Sequence, residues 1–284
     1  MKHQTPVRVA VIDMYNRTAN RGLGNIINLL EKTSTHWPLE YRVFETRYLA
    51  DVPDLSYDIF ISSGGPGDPF DGQGTRWEKR YFQLLETIWE HNQQETAHLR
   101  KHMLFICHSF QLMARFFELG QVTRRRSRSF GVFPVHKTEA GHTDPLLDTL
   151  GDPFYAADFR HWQVIQPNRQ RMEELGARIL ALEKIRPHVN LERAVMAIRL
   201  SEELVGTQFH PEADPENMLH HFTQEAQRKQ IIEEHGKEKY ERIIHRMKNP
   251  AYLYQTFQKV LPTFLKRAIK QLREGEHDNE RMVA

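Results

Sequence analysis

Three short segments of this chain hold the residues that could do covalent chemistry: Cys107, the run Gln208-Phe209-His210-Pro211-Glu212, and the loop Ser62-Ser63-Gly64-Gly65-Pro66-Gly67-Asp68-Pro69. Cys107 is the sole cysteine, so it forms no internal disulfide, and a reactive thiol suits a reducing compartment. A thiol nucleophile needs a base that takes its proton and returns it to a leaving group, which is work suited to histidine. His210 supplies the imidazole, and Glu212, held beyond a stiff proline, can orient that ring and stabilise its charged form. Consecutive glycines such as Gly64 and Gly65 leave backbone N–H groups unobstructed, and such groups can hold an oxyanion.

The elements around these residues set their geometry. Met103-Leu104-Phe105-Ile106 is an apolar run that ends at Cys107, and Ser109 to Phe117, closed by Gly120, has the pattern of a helix. A strand that turns sharply into a helix lifts the residue at the turn out of the sheet, where the positive helix end favours an anionic sulfur. Asp58 to Ile61 is the strand before the glycine loop, and Leu204 to Thr207 the strand before His210. All three segments thus fall at strand C-termini, the edge where ligand sites of α/β sheets lie. Further strands are expected at Val7–Asp13, Tyr41–Thr46, Phe130–Val135, Phe154–Phe159 and Ala194–Leu200, and helices near Asn25–Glu31 and over Arg76–Trp89. This alternation predicts an α/β fold with an open, mostly parallel sheet and helices on both faces.

With these residues in view, the chain resembles the class I glutamine amidotransferases, whose pattern is a Gly-Gly-Pro-Gly loop, an elbow Gly-x-Cys-x-Gly-x-Gln, and His-Pro-Glu. Here these stand as Gly64-Gly65-Pro66-Gly67, Phe105-Ile106-Cys107-His108-Ser109-Phe110-Gln111 and His210-Pro211-Glu212. Weaker echoes are Val11-Ile12-Asp13, Gly131-Val132, and His161-Trp162 followed by Pro167. The resemblance implies a flavodoxin-like catalytic domain over residues 1–222 and a triad of Cys107, His210 and Glu212. It implies an oxyanion hole from the amides of Gly65 and His108, and substrate contacts from Gly64, Gln111, His161 and Trp162. The activity implied is hydrolysis of the L-glutamine carboxamide through a Cys107 γ-glutamyl thioester, with ammonia passed to a separate synthetase subunit. No cofactor is called for.

Two departures stand out. Phe105 and Ser109 occupy the places of both elbow glycines, which implies an adjusted turn or altered packing. Similar departures occur in homoserine O-acyltransferases, which share the triad, and a γ-glutamyl hydrolase would use the same residues on a bulkier substrate. A non-catalytic binding member of the fold is a further alternative.

Composition points to a soluble cytoplasmic protein. Hydrophobic residues make up 39% of the 284, and the first residues, Met1 to Val7, carry no apolar signal core. A formal charge of +2 gives no argument for nucleic acid, and the 16 histidines include no His-Glu-x-x-His metal spacing. Neither a membrane nor a metal partner is expected. Arg124-Arg125-Arg126-Ser127-Arg128 forms the one local charge run, expected as a solvated loop or as a docking patch for an anionic group near the site mouth. Residues 223–284 form a helical extension, with Ile231, Tyr240, Ile243 and Met247 at helical intervals and Pro262 expected to kink or divide the last helix. The extension either packs on the core or serves a partner protein or self-association.

Overall fold

The strands at the centre of the molecule are buried at every position: Ile59–Ser62, His102–Ile106, Val195–Arg199 and Leu204–Thr207. Strands covered on both faces read as continuous apolar runs. The structure, a computed structural model, describes residues 5–186 and 192–282. In chain order the elements are β1 (Val7–Ile12), α1 (Gly22–Ser34), β2 (Leu39–Phe44), α2 (Thr46–Leu49), β3 (Ile59–Ser62), α3 (Arg76–Gln94), β4 (His102–Ile106) and α4 (His108–Phe116). These are followed by β5 (Gln121–Lys137), α5 (Glu139–Thr143), β6 (Phe154–Ile165), α6 (Arg169–Leu175), β7 (Arg178–Glu183), β8 (Val195–Arg199) and β9 (Leu204–Thr207). Four helices close the chain: α7 (Pro215–Thr223), α8 (Glu225–His235), α9 (Lys237–Lys248) and α10 (Leu253–Met282).

The strands form one sheet in the order β2-β1-β3-β4-β9-β8-β6-β5-β7. The first five run parallel, and every pairing from β9 to β7 is antiparallel. The parallel part is therefore a bare majority. The sheet is also not open throughout, because β8 pairs with β7 as well and closes β8, β6, β5 and β7 on themselves. A register shift between Arg124 and Ser129 bends β5 within this closed part.

Alternation along the strands splits the parallel half between two cores. Val9, Val11, Ile61, Leu104 and Ile106 face α1 and α10, with Ile26, Leu30, Leu261 and Leu265. Ala10, Ile12, Phe60, Met103 and Phe105 face α3 and α4, with Tyr81, Leu85, Phe110 and Met113. Helices thus cover both faces. A third core holds α7, α8 and α9 against the antiparallel half through Phe222, Ile231, Tyr240, Ile243 and Val132. α10 runs continuously through Pro262 rather than dividing there. The carbonyl that loses its i+4 donor belongs to Gln258, an exposed position where water can replace the bond.

The arginine run is not a solvated loop. It lies within β5, where the Arg125 side chain is buried and pairs with Glu183 at 2.8 Å, and Arg124 stands opposite Trp162 of β6. The strand β7 and the short helices α5 and α6 have no counterpart among the elements expected from the sequence.

Candidate active site

Cys107 joins β4 to α4 at φ +49° and ψ −95°, in the left-handed region that side chains rarely adopt. Such a conformation costs about 1–3 kcal/mol and persists only where its surroundings fix it. Here the Cys107 amide donates to Thr207 O of β9 at 2.8 Å, and the Cys107 carbonyl accepts from Gln111 N of α4 at 3.1 Å. His108 opens α4, so its N–H is among the first amides of a helix, which have no intrahelical acceptor.

The two missing elbow glycines are accounted for in different ways. Phe105 stands beside Gly206 in the β4–β9 register, and a Cβ on Gly206 would come within 2.7 Å of Phe110 and 2.9 Å of Met113. The space that lets α4 settle on the sheet is thus supplied by the neighbouring strand. Ser109 makes hydrogen bonds instead: its Oγ donates to Ser63 O at 2.6 Å and lies 2.8 Å from Ser62 Oγ, which is 2.9 Å from the Tyr81 hydroxyl.

His210 is fixed by its backbone, donating to Ala157 O of β6 at 2.9 Å in an isolated bridge. Its Nδ1 lies 2.8 Å from Glu212 Oε1, and the Glu212 carboxylate is almost fully buried. Burial alone would hold the imidazole neutral. The charge of Glu212 and the interaction with Cys107 outweigh it, so His210 keeps its proton well above the usual range. Cys107, His210 and Glu212 all line one cavity of about 900 Å³.

The glycine loop forms an adjoining wall through Gly65, Pro66 and Gly67. Gly64 is pressed against the histidine, since a Cβ there would lie 2.8 Å from His210 Cε1. Gly65 packs on the backbone, 2.3 Å from Met14 O by the same measure. Arg47 clamps the loop by donating to Met14 O at 3.1 Å and Pro66 O at 2.6 Å.

Gln111, His161 and Trp162 also line the cavity. Gln111 Nε2 donates to Trp162 O at 3.3 Å and to Gln208 Oε1 at 3.2 Å. The His108 ring is not part of the wall. It is buried, and burial followed by the charges of Arg47 and Arg115 lowers its pKa to about 3, so it is neutral.

Several site residues carry no signal in the sequence. Tyr15, two residues beyond Asp13, lines the cavity beside Glu212 and Cys107, and burial foremost raises its hydroxyl pKa. Gln208 Nε2 lies 3.7 Å from Cys107 Sγ. Phe130, Phe159, Met218 and Phe222 come from β5, β6 and α7 to form an apolar wall. Among the described residues no group of histidine, cysteine and carboxylate side chains is arranged to hold a metal, and no helix is long and apolar enough to cross a membrane.

A strained cysteine at a strand–helix elbow, facing a histidine backed by a buried glutamate, defines an amidase-type site on an α/β sheet. The model of the class-I glutamine amidotransferase family matches residues 11–230, and the chain belongs to that family. Among solved structures, a glutamine amidotransferase from Thermotoga maritima superposes with a TM-score of 0.67 at 15% identity, covering 94% of this chain and 99% of that one. That cover exceeds what residues 1–222 could supply, so part of the C-terminal helical region is common to both folds. A glutamine amido transferase from Methylobacillus flagellatus gives 0.57 at 15% identity, covering 92% and 94%. The glutaminase domain of a CTP synthase from Trypanosoma brucei, with bound acivicin, gives 0.50 at 14%, covering 72% and 86%. No curated protein matches the chain significantly.

Proposed function

We propose that the chain hydrolyses the side-chain amide of L-glutamine, with Cys107 as nucleophile, His210 as acid and base, and Glu212 as the group that orients His210. The observation that carries this reading is the 2.8 Å contact between His210 Nδ1 and Glu212 Oε1 beside the strained Cys107. The Cys107 thiolate adds to the carboxamide carbon, and the oxygen takes the charge against the amides of Gly65 and His108. His210 passes its proton to the leaving nitrogen and ammonia departs. Water, deprotonated by His210, then splits the γ-glutamyl thioester to release glutamate. Gln111, His161 and Trp162 hold the substrate, and Gly64 lets the loop approach His210.

Ammonia released in this way serves a separate synthetase. The chain holds no phosphate-binding Gly-x-x-x-x-Gly-Lys-Ser/Thr loop of its own. Support comes from the fold shared with a GMP synthase component from Thermoplasma acidophilum, at a TM-score of 0.51 and 15% identity. Residues 1–222 act as the catalytic domain, and residues 223–284 as an extension that packs on it through Leu261 and Leu265.

Intact-mass measurement after incubation with 6-diazo-5-oxonorleucine, a reactive glutamine mimic, tests the reading. One adduct on the wild type and none on Cys107→Ala is the expected result. A wild type that takes up a general thiol reagent but not the mimic would overturn glutamine as substrate.

A further inference from the structure

The cavity is larger than its proposed substrate requires. About 900 Å³ is the size of a cleft that holds a drug-sized molecule, several times the bulk of glutamine. The extra space has a direction. A triad histidine gives its proton to the leaving amine, so the amine lies against His210. From His210 the wall continues through Phe159, with ring centroids 6.1 Å apart, to Phe222 at 6.2 Å from Phe159 and Phe130 at 5.1 Å. Phe130 stacks on Phe222 at 5.8 Å with planes 5° apart, and Met218 lines the same side. Ammonia would leave such a wall unused.

The far end of this wall is positive. The Arg128 guanidinium lies 5.0 Å from the Phe130 ring, and the Lys239 ammonium 5.9 Å from it. Arg128 has no carboxylate partner among the described residues, unlike Arg125 and Arg160 in the same part of the sheet. After burial, the charge of Arg128 is among the causes that lower the pKa values of His161, His235 and Lys239. The positive potential at this rim is thus not neutralised from within the protein.

We infer that the site accepts γ-glutamyl amides of apolar amino acids, with the leaving residue's side chain against Phe159, Phe222 and Phe130 and its carboxylate at Arg128. The inference rests on the Cys107–His210–Glu212 reading given above. The chemistry is the same acyl transfer. Sγ bonds to the γ-carbonyl carbon, the C–N bond to the leaving residue breaks, and His210 delivers the proton that makes it a free amine. Water then supplies hydroxide to the carbonyl carbon and a proton to the sulfur, and glutamate is released.

The test compares kcat/KM for γ-glutamylphenylalanine, γ-glutamylglycine, γ-glutamyl-2-phenylethylamide and glutamine, read as glutamate released by the full chain. The phenylalanine compound is expected to exceed the glycine compound by at least about tenfold, the discrimination an apolar pocket provides. It is expected to exceed the phenylethylamide, which lacks the carboxylate, by a similar factor. Phe130→Leu should shrink the first ratio, and Arg128→Gln, at an exposed position, should bring the second close to one. Cleavage of glutamine without cleavage of γ-glutamylphenylalanine overturns the inference and leaves the glutaminase reading standing. Cleavage of γ-glutamylphenylalanine without glutamine does the reverse. Cleavage of neither overturns both, and ratios that survive both substitutions overturn the assignment of the wall.

Discussion

The parallel and antiparallel halves of the sheet do different work. In the parallel half, apolar strands carry nothing chemical along their length and deliver one residue each at their C-terminal ends: Gly64 after β3, Cys107 after β4 and His210 after β9. In the antiparallel half, the polar residues lie within the strands. Arg125 of β5, Asp158 and Arg160 of β6, and Glu183 of β7 meet as a buried ionic cluster, and the aromatic residues of β5 and β6 face the cavity. The first half supplies the reacting groups and the second supplies the shape around them.

Substitutions in the two halves should therefore fail in different ways. The largest effect belongs to the parallel half. Cys107→Ala should lower kcat by about 10⁶-fold, and Glu212→Ala by one to two orders of magnitude less, because the glutamate orients the histidine without itself carrying a proton. Single-turnover assays with circular dichroism on both variants check this. Equal losses with the fold intact would show that Glu212 does more than orient.

Next comes the ionic cluster. Glu183 meets Arg125 at 2.8 Å, Arg186 at 2.9 Å and Arg160 at 3.6 Å. Glu183→Gln should cost about 3 kcal/mol of stability, because it leaves buried guanidinium groups without their counter-charge. Urea unfolding measures it, and a loss under about 1 kcal/mol would put this cluster with surface ion pairs.

Gly64→Ala should lower kcat about 10²-fold with little loss of stability, since the new Cβ, 2.8 Å from His210 Cε1, displaces the ring. Gly24→Ala is the control, because a Cβ there meets nothing within 4 Å. Equal activity of the two variants would mean that the loop yields and the histidine does not.

The smallest effect is a slope. Burial foremost lowers the pKa of His102 on β4 from 6.5 to about 4. Between those values the unfolded chain binds a proton that the folded protein refuses, so stability falls as pH falls through that window. His102→Leu should remove about 1.4 kcal/mol of that loss per pH unit, read from urea midpoints between pH 6.5 and 4.5.

Legibility in the sequence follows the same division. The apolar runs ending at Cys107, Thr207 and Ile61 are visible because a strand buried on both faces has one kind of residue throughout. The triad, Gly65 and Gln111 were legible because each stands at a fixed offset from such a run, and all of them line the cavity. β5 was not. Arginine and serine at Arg124–Arg128 mask its extended pattern, and the Arg125 side chain is buried only because Glu183, 58 residues later, meets it. Tyr15, Arg47 and Phe222 reach the site through tertiary packing that no local spacing records. The effect of Phe105 was also invisible locally, since its complement, Gly206, lies on another strand.

The hydroxyls beneath the elbow have one further property. Ser109 has a single proton, and the carbonyl of Ser63 takes it. Ser62 must then give its proton to Ser109, and Tyr81 must give its proton to Ser62. The hydrogens therefore stand in single file, all pointing from α3 toward the glycine loop, and no second arrangement satisfies every oxygen. Ser63 continues the line, since its own hydroxyl donates to the carbonyl of Gly64 at 2.9 Å. Removing the one phenol oxygen in Tyr81→Phe takes away the head of the queue, and the disturbance is felt at the loop that faces His210, on the opposite side of the strand ends from the helix that was changed.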